Sequence, residues 1–135
     1  MIKLTKILAE ANISYTPEKI DEFIVTATKA LSVGKRLFDS YVFEIADMNI
    51  SNILSDPGGA NQLLNKIRGV EQSLGKQHSM YFNIIDTFDV SNLPSNVREL
   101  EKLTDEIDNV YFDMGKIADA LEYLINAADK FKEFI

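Results

Sequence analysis

The chain has 135 residues, 46% hydrophobic and 26% charged, enough apolar material to bury a core as one domain over 1–135 and too much for a disordered chain. Its formal charge of −7 sets up a field that repels phosphate backbones and anionic headgroups, so neither nucleic acid nor a membrane is an expected partner. It has no cysteine, which excludes disulfides, thiolate metal sites and cysteine nucleophiles.

Residues 3 to 11 place Leu4, Ile7, Leu8 and Ala11 on one side. This spacing predicts a short amphipathic helix that is marginal alone and must dock on something. A charge inside this apolar stretch, Lys6, argues against a secretory signal. No later stretch approaches the roughly 18 uncharged apolar residues of a membrane span, so a cytoplasmic protein is the expectation.

Thr16-Pro17-Glu18 reads as a helix start: a hydroxyl to cap, a proline where no amide donor is needed, and an acid in the first turn. A helix over about 17–54 follows, with Ile20, Ile24, Ala27, Leu31, Gly34, Phe38, Tyr41, Ile45 and Met48 alternating steps of four and three along one seam. Its weak point is Asp47 to Asn52, where Asn49, Ser51 and Asn52 compete with the backbone for hydrogen bonds and a kink or fraying is expected.

Asp56-Pro57-Gly58-Gly59 is the strongest turn signal. A second long helix, about 58–88, carries Leu63, Ile67, Val70, Leu74, Gln77, Tyr81, Ile84 and Phe88 as its stripe. After a connection through Asp89 to Asn96, with Asn92 or Ser95 as the expected cap, a third runs over about 95–133. Its apolar line is Val97, Leu100, Leu103, Ile107, Val110 or Tyr111, Met114, Ile117, Leu121, Leu124, Ala128 and Phe131. Short connections between long helices make sequence neighbours antiparallel. The fold class is therefore all-α: an antiparallel up-down bundle of three long helices plus the short N-terminal one.

Reflecting the first two long helices about residue 57 and the last two about residue 92 predicts which residues share a level. Gly69 falls beside Ile45 and Gly115, which suggests close helix approach or a small ligand cavity. His78, the one histidine, falls beside Arg36 and the acids Asp105 and Asp108, a polar cluster in the titration range of proton transfer. Glu101, Asp105, Asn109 and Asp113 follow one another at steps of four, an acidic row that would collect a hard divalent cation if it held any metal. A di-metal carboxylate site needs more than one histidine and is excluded. No phosphate loop, dinucleotide fingerprint, zinc-protease helix or nucleophile elbow occurs, so no catalytic residue and no cofactor is expected.

The last helix overshoots its neighbours by a turn or two, yet that end carries Phe131, Phe134 and Ile135. With Phe23 and Leu37 widening the apolar face of the first long helix, this predicts an interface and a homo-oligomer, a two-fold dimer being the commonest closed form. The expected function is that of a non-enzymatic bundle working through protein–protein contacts, with itself and with a second protein. The alternative is a regulatory bundle that binds a small ligand or a divalent cation.

Overall fold

A computed structural model describes residues 15–134; the segment expected as a helix over about 3–11 lies outside the described residues, as does Ile135. The helices are α1 (Pro17–Ala46), α2 (Ile50–Ser55), α3 (Pro57–Ile85) and α4 (Ser95–Lys132), with one 3-10 turn at Val90–Asn92. Among the described residues there is no strand, and the helices pack on one another as an all-α bundle.

Three of the four helix starts carry a side-chain cap. Thr16 Oγ1 accepts from the Lys19 amide at 3.2 Å with Pro17 in the first turn, and Asp56 Oδ1 accepts from the Gly59 amide at 3.1 Å ahead of Pro57. The expected helix over 17–54 is in fact two. α1 stops at Ala46, and Asn49 turns its side chain back to accept from the Asn52 amide at 2.9 Å, capping α2 as a separate element. One of the three side chains expected to weaken the helix thus starts the next one, while α1 closes on its own backbone at Asp47.

α3 begins one residue earlier than expected and ends three earlier, at Ile85, where the Thr87 hydroxyl donates to the Ile84 carbonyl at 2.6 Å. α4 starts at Ser95 without the expected cap from Asn92 or Ser95: Pro94 holds the cap position and no side chain bonds there. Asp89 instead caps the 3-10 turn, accepting from the amide and hydroxyl of Ser91, and these bonds hold its carboxyl below the usual range.

α4 is the central element. Its buried line runs Val97, Leu100, Thr104, Ile107, Val110, Met114, Ala118, Leu121, Ile125 and Ala128, against α3 on one side and α1 and α2 on the other. The expected Leu103, Ile117 and Leu124 are half-buried flanks of that line. Thr104 is tolerated in the core because its hydroxyl donates to the Leu100 carbonyl at 2.7 Å.

Candidate functional site

α1 and α3 both lean on α4 but meet each other only sparsely, and a hollow of about 340 Å³ remains between them. Its walls are Ala30, Val33 and Leu37 from α1 and Val70, Leu74 and Gln77 from α3. At its head Tyr15 packs edge-on against Phe23 with ring centres 6.1 Å apart, and Phe23 packs the same way against Tyr81 at 6.3 Å. Tyr81 is fully buried, which pushes its phenol above the ordinary value. Neither its hydroxyl nor the buried Gln77 Oε1, one turn away, has a hydrogen-bond partner among the described residues.

The Phe23–Tyr81 contact and the approach of Leu74 to Gly34 fix the register of α1 on α3. They overturn the expected Arg36–His78 pairing. Gln77 and its neighbour His78 come level with Thr26 and Lys29, about two turns from Arg36. A reflection about residue 57 assumes an unbroken helix, whereas the chain already turns at Asp47 and spends α2 on a separate packing contact. Arg36 is exposed. The other half of the expectation is in place: His78 Nε2 stands 3.8 Å from Asp108 Oδ1, both groups about one-third exposed, while the ring stacks on Phe82. Asp105 is exposed one turn before Asp108.

The glycine level is also corrected. Gly69 faces open space, with nothing within 4 Å of where a Cβ would stand. The helices close up elsewhere. A Cβ on Gly75 would meet the Tyr111 ring at 3.2 Å, and one on Gly115 would meet Glu71 Oε2 at 2.8 Å.

That Glu71 belongs to a cluster that pattern reasoning missed. Arg68 donates to Glu71 at 3.1 Å, to Asp119 at 2.8 Å and to Glu122 at 2.7 Å, clamping α3 to α4. Its hydrogen bonds to Asp119 and Glu122 raise the guanidinium further above its already high range. Asp119 and Glu122 sit three apart on α4, a spacing that marks one helical face and could have pointed to a shared cation.

Glu101, Asp105, Asn109 and Asp113 are all exposed, and Lys116 stands 4.0 Å from Asp113. Among the described residues no three acidic or histidine side chains converge as a metal ligand set. Of the residues expected at an interface, Phe23 and Leu37 are half-buried against the core, whereas Phe131 is 48% and Phe134 85% exposed at the end of α4. No described helix is long and apolar enough to cross a membrane. The chain matches no protein-family model, no curated protein and no solved structure.

Proposed function

We propose that this chain is a cytoplasmic, non-enzymatic helical-bundle protein that acts through protein–protein contacts, first with a second copy of itself as a two-fold dimer and then with a partner protein. The observation that supports this reading is the free end of α4. Counting back along α3 from the Arg68–Asp119 bridge to Pro57, and forward equally along α4, reaches Lys130, so the residues beyond have no α3 partner. Phe131 and Phe134 stand exposed there. Phe112 and Tyr123 are also exposed and share one face of α4, because eleven residues make about three turns, and Phe134 follows just past the end of that helix.

Covering an aromatic side chain is worth about 1.5–3 kcal/mol, so pairing these ends across a two-fold axis would contribute a driving force for association. The test is sedimentation equilibrium across a dilution series. The expected result is a dimer that dissociates on dilution, with dissociation shifted to higher concentration in Phe131→Ser/Phe134→Ser. A strict monomer at the highest concentration, or a dimer indifferent to both substitutions, overturns the reading.

A further inference from the structure

α3 turns a nearly uncharged face to solvent. Asn65, Gly69, Gln72, Lys76, Ser79 and Asn83 follow one another at steps of four, three, four, three and four, and all six are exposed. In a chain of net −7 this stripe holds no acid. The one carboxylate of α3, Glu71, lies against Gly115 of α4 and is bonded to Arg68. Depletion of charge, more than apolarity, marks the middle of a protein–protein contact. Gly69 is an independent sign. A glycine inside a helix costs about 1 kcal/mol relative to alanine, yet no atom of the described residues stands within 4 Å of where its Cβ would be. No contact inside the described chain calls for it, whereas a second helix laid close along the stripe would.

We propose that this face docks on the same face of a second copy, α3 against α3 in antiparallel sense, about a two-fold axis at the level of Leu74. The stripe reads alike from both ends: amide, small residue, long polar side chain, long polar side chain, small residue, amide. A two-fold at that level sets Asn65 opposite Asn83 of the second copy, Gly69 opposite Ser79 and Gln72 opposite Lys76, because the members of each pair are equidistant from Leu74. Each pair is compatible. Two amides exchange donor and acceptor, glycine and serine let the backbones approach, and a glutamine oxygen accepts from an ammonium. Lys76 meets Gln72 and not its own copy, so no like charges are opposed within the stripe. The contact runs along about 27 Å of helix. That symmetry selects a second copy over an unrelated partner. The surface is separate from the end of α4, and two self-complementary contacts on one chain permit a dimer of dimers.

The absence of native cysteine allows a direct test in the full-length chain. A disulfide needs Cα atoms within about 7 Å, and Gly69 and Ser79 of one chain are about 15 Å apart along α3. Gly69→Cys chains mixed with Ser79→Cys chains are expected to join one to the other at least about tenfold faster than either joins itself. Equal rates for the three products, or no disulfide, overturn the proposal. Charge tests the register. Asn65→Asp in the Gly69→Cys chain, with Asn83→Asp in the Ser79→Cys chain, is expected to slow joining about threefold, and Asn83→Lys in place of Asn83→Asp to restore it. Rates indifferent to these charges overturn the proposed register. All four positions are exposed, so helix content by circular dichroism should stay that of the parent chain. Phe131→Ser/Phe134→Ser in both chains is expected to leave joining unchanged. Its loss there would overturn this contact and leave the dimer at the end of α4 standing.

Discussion

Arg68 on α3 and Asp119 on α4 are joined at 2.8 Å, and the same guanidinium reaches Glu122 at 2.7 Å, one turn further along α4. This is the principal polar contact between the two helices. Its carboxylates are half-exposed or more, so water and salt screen it. Arg68→Met is expected to cost about 1 kcal/mol, partly by leaving Glu71, Asp119 and Glu122 to repel one another. Urea titration checks the loss, which should shrink as ionic strength rises. A loss independent of salt would mean that the arginine stem, not its charge, supplies the stability.

Gly69 and Gly34 provide an opposed pair. Gly69 lies exposed in the interior of α3 with open space around a new Cβ, so Gly69→Ala is expected to stabilise by about 1 kcal/mol through helix propensity alone. Gly34 is buried where three helices meet, and a Cβ there would lie 3.3 Å from Leu74 Cδ2 and 3.4 Å from Val110 Cγ1. Gly34→Ala is therefore expected to destabilise by about 1 kcal/mol, as overpacking outweighs the propensity gain. Thermal melts of both variants should move in opposite directions.

How much of this was legible in the sequence depended on the distance over which a signal acts. The seam from Ile20 to Ile45 in α1, with Met48 just beyond its end, is buried or half-buried throughout, because period and caps are local properties. Pro17, Asp56 and Pro57 marked helix starts for the same reason. Register was not local. Ending α1 at Ala46 moved His78 away from Arg36 and turned Gly69 to solvent, an outcome set by where α2 packs on α4. The α3–α4 register was nearer the expectation because the loop between them reverses the chain directly, and His78 did arrive beside Asp108. The Arg68 clamp across α3 and α4 stayed hidden because the two carboxylates it reaches on α4 lie more than fifty residues away.

The α1/α2 break rests on one side chain. Asn49 Oδ1 satisfies the Asn52 amide, while Met48 is held by a backbone bond from its amide to the Ile45 carbonyl at 2.9 Å. Removing the cap in Asn49→Ala is expected to cost about 1 kcal/mol. Because Ile53 is anchored in the core, the loss should show as faster amide exchange confined to α2, with α1 unchanged. A uniform acceleration through α1 would contradict the separation of the two helices.

Alkaline pH addresses the buried phenols. Burial raises Tyr81, and burial followed by the nearby Glu44 carboxylate raises Tyr41, both from an ordinary value of 10.0. In the native state each keeps its proton where the unfolded chain has begun to lose it, so the unfolded state binds fewer protons and stability falls as pH rises. The contribution is fully present below pH 10 and is lost as pH climbs through the native values. Tyr81 is the more deeply buried and is expected to carry the larger share. In Tyr81→Phe the fall in urea midpoint between about pH 8 and pH 11 should be shallower than in the parent chain, with Tyr41→Phe intermediate. Ultraviolet titration of the phenolate band should show one late-ionising group missing from each variant. An unchanged slope in Tyr81→Phe would show that this hydroxyl ionises without penalty and that the head of the groove is open to water.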